Sequence, residues 1–125
     1  MSKKHRKPEI TVHAVTDALP NGMWLHTHGM WALDLPELEV RDIPLFLAPF
    51  AQCILTEACD YIIEHPKGVK PGHTLTIGDT ITVQFRHAEP IPDQPDHYKH
   101  EVWALVDPDD ILCARCKNDN GGQVK

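Results

Sequence analysis

Apolar and polar residues alternate along Ile10-Thr11-Val12-His13-Ala14-Val15 and again along Met23-Trp24-Leu25-His26-Thr27-His28, the two-residue period of a strand with one buried face. Asn21-Gly22 stands between the two runs, so the pattern predicts a hairpin with those residues as its tight turn. In that register His26 faces Asp17, His28 faces Val15 and Met30 faces His13. One sheet face then collects His13, Asp17, His26 and His28, and the other collects Val12, Ala14, Ala18 and Leu25. Pro20 beside the turn leaves open a longer loop and a changed pairing. Leu35-Pro36-Glu37-Leu38-Glu39-Val40-Arg41 alternates in the same way, with Glu37, Glu39 and Arg41 on one side and Leu38 and Val40 on the other.

The period then lengthens. Ile43, Phe46, Leu47, Phe50, Ile54, Ala58, Tyr61 and Ile62 recur at helical spacing, which predicts the main amphipathic helix between Pro44 and His65. Asp42 is a candidate N-cap, Pro49 either kinks the helix or marks its first turn, and Pro66-Lys67-Gly68 ends it. Val69 to His73 reads as a loop, and Thr80 to His87 as a clean alternating strand. Glu89-Pro90-Ile91-Pro92-Asp93-Gln94-Pro95-Asp96 cannot sustain a ladder, so it is expected to be an exposed loop of the kind that carries a binding surface. His100 to Val106 is a further strand, and Ile111 to Cys116 a last short one. These elements predict an α+β domain: an antiparallel sheet of about five strands with one principal amphipathic helix packed on one face. It would span residues 9–116, between a basic tail (1–8) and a polar tail (117–125).

Composition narrows the function classes. The chain has 125 residues, 42% of them hydrophobic, which suits one domain rather than two. A formal charge of -6 with a pI near 5.8 argues against nucleic-acid binding, which needs a positive surface to displace counterions. The basic start is followed by no apolar run of signal-peptide type, and no apolar run reaches membrane-spanning length, so a cytoplasmic location without membrane attachment is expected. Cys53, Cys59, Cys113 and Cys116 would then be reduced thiols.

His26-Thr27-His28 carries the chemistry. Two imidazoles two residues apart on a strand leave the same face and can share a metal, a phosphate or a proton. A third ligand from His13, Asp17, Glu37 or Glu39 would complete a site for a divalent transition metal such as zinc, with His26 and His28 as its core. The bland alternative is a half-exposed strand with polar side chains facing water. Trp24 falls on the histidine face, where it suits a ligand pocket or a subunit interface as well as ordinary packing. Of the histidines near the proline-rich loop, His97 is expected to face water and His100, at the start of a strand, to contribute to a site. Cys113-x-x-Cys116 is one half of a zinc knuckle without a second half downstream. Cys53 and Cys59, six residues apart on the helix, are expected to be small core residues.

The His-x-His peptide resembles the segment that ends the first strand of amidohydrolases, but their barrels need about 250 residues. It also resembles the cupin motif, in which a glutamate follows within a few residues, whereas here the first acidic residues are Asp34 and Glu37. Trp24-Leu25-His26-Thr27-His28-Gly29-Met30, Leu35-Pro36-Glu37-Leu38-Glu39-Val40-Arg41, the helix, Val69-Lys70-Pro71-Gly72 and Glu89-Pro90-Ile91-Pro92 together are similar to a group of small bacterial domains of unknown function. That resemblance implies a single bacterial domain and transfers no catalytic residue. The reading ranked first is a bacterial cytosolic binding domain that holds a small ligand, a metal or a protein partner on its histidine-rich face, using Trp24 and His100 as well, and that admits a homodimer. Two alternatives stand beside it. One is a small metal-dependent hydrolase with Glu37 or Glu39 as ligand or general base, and the other a regulatory or immunity-type interaction domain.

Overall fold

The computed structural model describes residues 9–78 and 80–108. Strands β1 (Thr11–Val15), β2 (Met23–His28) and β3 (Glu37–Ile43) precede the helix α1 (Ala48–Glu64), and β4 (Thr74–Ile77), β5 (Ile81–His87) and β6 (Val102–Val106) follow it. The six strands form one sheet in the order β1-β2-β3-β6-β5-β4. β3 and β6 run parallel, and every other neighbouring pair is antiparallel. The expected α+β architecture with a single packed helix is therefore present, in a mixed sheet. The helix and the β4–β5 hairpin form a long crossover that returns the chain to the middle of the sheet, and this makes the parallel pair. β4 is a strand that the sequence pattern does not predict, because its four residues carry too short an alternation to register. The strand expected over Ile111 to Cys116 lies outside the described residues, as do the residues expected to form both tails.

Alternation is converted into two unlike faces. Leu25, Leu38, Val83, Phe85, Trp103 and Leu105 form one buried cluster with Ala51, Leu55, Ala58, Cys59 and Ile62 of α1. Leu55, Ala58, Phe85 and Leu38 are fully buried, so this is the centre of the core. Pro49 lies in the first turn of α1, where its missing N–H costs nothing, and the residues just before it, Leu45–Leu47, form a 3-10 turn. Leu47 is the N-cap and supplies no side-chain hydrogen bond, so Asp42 does not cap the helix. Leu45–Glu64 is long and apolar enough to cross a bilayer by length and composition; one row of it, Ala51, Leu55, Ala58, Cys59 and Ile62, packs on the sheet, and Glu57, Asp60 and Glu64 lie outside that row. Cys59 lies in the core, whereas Cys53 is exposed, contrary to its expected role as core filler.

The hairpin is present with a different register. Thr11 pairs with His28, His13 with His26 and Val15 with Trp24, so residues 16–22 form the connection and Asn21-Gly22 is not a two-residue turn. Gly22 is needed for another reason: a Cβ there would lie 2.5 Å from the backbone carbon of Asp42. Asp42 itself has φ 59°, at the point where β3 slips against β2 and His26 comes to face Glu39. The difference from the expected register is an even slip, which exchanges partners without exchanging faces. His13, Trp24, His26 and His28 still share a face, with Glu37, Glu39 and Arg41 beside them.

Candidate functional site

The segment between β5 and β6 covers the histidine face. Ile91 is buried and anchors it, and His97–Lys99 form a short 3-10 turn. The Tyr98 hydroxyl donates to Glu39 Oε1 at 2.6 Å, and the Arg41 guanidinium reaches both the Tyr98 oxygen and the carbonyl of Glu89. These contacts press His97 onto the sheet. Its ring lies edge-on to Trp24 (5.2 Å between centroids) and 4.4 Å from His26. Trp24 is 1% exposed and stacks under His26 at 4.0 Å.

A cavity of about 250 Å³ results, lined among the described residues by His13, His26, His28, His97 and His100, with Glu37 and Asp96 completing the wall. His13 stacks parallel to His26 at 5.2 Å and meets His28 edge-on at 5.9 Å. His100 stacks on the half-exposed Trp31 at 5.3 Å. His26 Nδ1 and His97 Nε2 are buried from solvent and have no hydrogen-bond partner. Such atoms are uncommon, since each costs about 1–3 kcal/mol when left unpaired.

Burial, reinforced by the neighbouring imidazoles His97 and His13, lowers His26 from 6.5 to about 4. Burial lowers His97 to about 4 as well, with His28, His100, His13 and Arg41 acting in the same direction. Both rings are therefore neutral at pH 7, each with one donor and one acceptor nitrogen.

The two glutamates have structural work. Glu37, 1% exposed, accepts from the Thr27 hydroxyl at 2.7 Å and from the backbone N–H groups of Gly29 (3.1 Å), Met30 (3.3 Å) and Trp31 (3.1 Å). Gly29 reaches the required φ of 124°, where a Cβ would also strike the carbonyl oxygen of Glu9 at 2.7 Å. Three successive N–H groups thus point at one carboxylate, an anion nest built by the peptide that follows the His-x-His pair. Glu39 is fully buried and accepts from Trp24 Nε1, Tyr98 and Arg41. Neither carboxylate is left free for the role of general base. Cys59 sits behind this nest, and burial together with the Glu37 charge pushes its thiol up to about 12, so it is inert.

The expected site residues therefore divide. His13, His26, His28 and His100 line the cavity and Glu37 lends an edge while holding the loop; Trp24 lies behind the lining, stacked on His26, and Glu39 braces Trp24. Asp17 lies in the β1–β2 connection, outside the cavity lining, because the register does not bring it opposite His26. His97, expected to face water, is half-buried against His26 and Trp24. Its signal was hidden in a segment without hydrophobic period, where only Ile91 among the prolines marks an anchor. As the side chains stand, no three His, Cys, Asp or Glu among the described residues converge to hold a metal ion. Cys113 and Cys116 lie outside the described residues.

Fold and site thus define an α+β domain with a histidine-lined pocket on the sheet face opposite its helix. Comparison with protein-family models, with curated proteins and with solved structures finds no match to this chain.

Two outcomes test the site. Glu37→Gln places an amide among donors that need an acceptor, and it should lower unfolding free energy in urea by about 1–3 kcal/mol; an unchanged midpoint would show that the nest is not needed. In the unfolded chain His26 and His97 gain a proton near pH 6.5, but in the fold only near 4. The unfolded state therefore binds more protons between those values, so stability is full above about 6.5 and falls as pH drops towards 4. In metal-free buffer, His26→Phe and His97→Phe should flatten the decline measured between about pH 6.5 and 5, and a slope identical to that of the parent would refute the assignment.

Proposed function

We propose that this chain is a bacterial cytosolic binding domain that holds a small polar ligand in the pocket between His26 and His97. The observation that carries the reading is the cavity itself: five imidazoles with Glu37 and Asp96 line a space that, at roughly 30 Å³ per water, has room for a small molecule in place of several waters. With His26 and His97 neutral, the favoured ligand makes hydrogen bonds to imidazoles rather than ion pairs with them. The covering segment sets its size. The hydrolase alternative ranks below binding because Glu37 and Glu39 are already occupied by four and three donors respectively.

A second reading has an observation of its own. Phe46 is 81% exposed and Leu45 71%, and they stand near an open apolar groove of about 660 Å³ lined by Val40, Leu47, Phe50, Ile54, Ile81 and Leu105. Aromatic side chains in water beside such a groove favour a protein contact. Because knob and groove adjoin on one face, a second copy related by a two-fold axis can exchange them, which supports the homodimer expectation.

Long-range proton–nitrogen NMR of the imidazoles tests the first reading: small polar fragments should shift His26 and His97 first, with loss of the effect in His97→Ala. Fragments that bind only elsewhere would sink it. For the second, light scattering should give twice the 14.1 kDa of one chain, reverting to one chain in Phe46→Glu; a parent mass of one chain removes the dimer.

A further inference from the structure

We propose that the segment over the pocket, residues 92–100, is a proton-released lid: acid lifts the His97–Lys99 turn off the sheet face while the strands beneath it stay in place. As a regulator of access to the pocket it rests on the binding reading above. The lid is pinned at its two ends. Ile91 is buried at one, and at the other the Glu37 N–H donates to the Glu101 carbonyl at 2.9 Å. Between those pins the backbone hydrogen bonds of Gln94 to Ile91, Tyr98 to Pro95 and Lys99 to Asp96 close turns within the segment itself. Of residues 92–100 only Gln94, His97 and Tyr98 are half-buried, and the others are exposed. Side chains hold the segment down: the Tyr98 hydroxyl donates to Glu39 and accepts from Arg41, the His97 ring packs on Trp24 and His26, and His100 stacks on Trp31. Self-contained turns with few buried contacts are the marks of a unit that opens by itself.

Protonation acts on the contact between His97 and His26. Both nitrogens of an imidazolium are donors, and His26 Nδ1 and His97 Nε2 are buried from solvent without a hydrogen-bond partner. Charging either ring in the closed state therefore buries a cation with an unpaired N–H, whereas lifting the turn gives the ring to water. The two rings, with centroids 4.4 Å apart, also repel once both are charged. His97 faces Arg41 of β3, His13 of β1, His28 of β2 and His100 of its own segment, and His26 faces His13, His97 and, acting in the opposite sense, the Glu39 carboxylate. Glu39 is already bonded to Trp24, Tyr98 and Arg41, Glu37 is bonded to four donors, and Asp96 stands in water. Burial first, and the neighbouring charges second, hold both rings at about 4 under the closed lid, against 6.5 in water. The open state binds more protons between those values, so opening is favoured as pH falls through them.

Exchange of the Trp24 indole N–H, followed by NMR in the full chain without ligand, tests the lid, because that group is bonded to Glu39 beneath it and Trp24 is buried. Relative to its intrinsic rate it should exchange faster than the backbone amides of Leu55 and Phe85 in the core, and its opening should be insensitive to low urea while theirs is not. Between pH 6.5 and 5 its protection should fall about 100-fold, roughly 10-fold for each ring that gains a proton on opening. His97→Phe keeps a ring on Trp24 that cannot charge, and it should cut the fall to about 10-fold; His26→Phe together with His97→Phe should abolish it. Tyr98→Phe should lower the protection at pH 6.5 and leave the fall in place. Protection of the core amides shows that each variant is folded. The lid is overturned if Trp24 opens with the same free energy and urea dependence as the core, or if the fall persists in the double variant. Small polar fragments that bind at pH 7 to a chain whose Trp24 protection is unchanged down to pH 5 would overturn the lid alone and leave the pocket as a binding site.

Discussion

One buried carboxylate organises the histidine end of the molecule. Glu37, at the first position of β3, gathers the Thr27 hydroxyl and the backbone of residues 29–31 around two oxygens. Thr27 in turn accepts from the backbone N–H of Leu38 at 2.9 Å, so the end of β2 is tied twice to the start of β3. A carboxylate taken from water needs most of its lone pairs filled, and three consecutive N–H groups can fill them only if the chain turns through the left-handed region at Gly29. That turn decides where β2 ends and where His28 points. The His-Thr-His-Gly peptide and the Pro-Glu-Leu-Glu peptide are thus two halves of one local structure.

The pocket follows from that clasp together with a second one. Glu39, two residues on and on the same face, holds Trp24, Tyr98 and Arg41, and Tyr98 brings His97 with it. The Trp24 ring that backs the cavity is therefore anchored by a carboxylate, and His26 and His97 pack against that ring.

Much of this was legible in the chain. Alternation located β2 to the residue, placed Trp24, His26 and His28 on one face of it and Glu37 and Glu39 on one side of β3, because side-chain direction on a strand depends on parity alone; that the two sets share a face follows from the pairing of His26 with Glu39. Pairing was less legible: Asn21-Gly22 has the composition of a tight turn, yet Gly22 is there so that the backbone of Asp42 can pass close by, a tertiary need that no local pattern reveals. The glutamates were read as ligands or bases because spacing cannot distinguish a carboxylate aimed at a cavity from one aimed at backbone amides. His97 was overlooked for a related reason. Its burial depends on Ile91, Tyr98 and Arg41 acting across the sheet, and the segment that carries it has no period to read.

The parallel pairing of β3 with β6 has a kinetic consequence. Glu37 and Val102 are neighbours in the sheet but lie 65 positions apart in the chain, so the loop between them must close before either can profit from the contact. The early hairpin can assemble as soon as it is made, and it carries three of the five imidazoles. The other two, His97 and His100, reach their places only when the last strand docks. The cavity is therefore complete only in a chain whose β6 end is docked, and each local opening of that end of the sheet dismantles it.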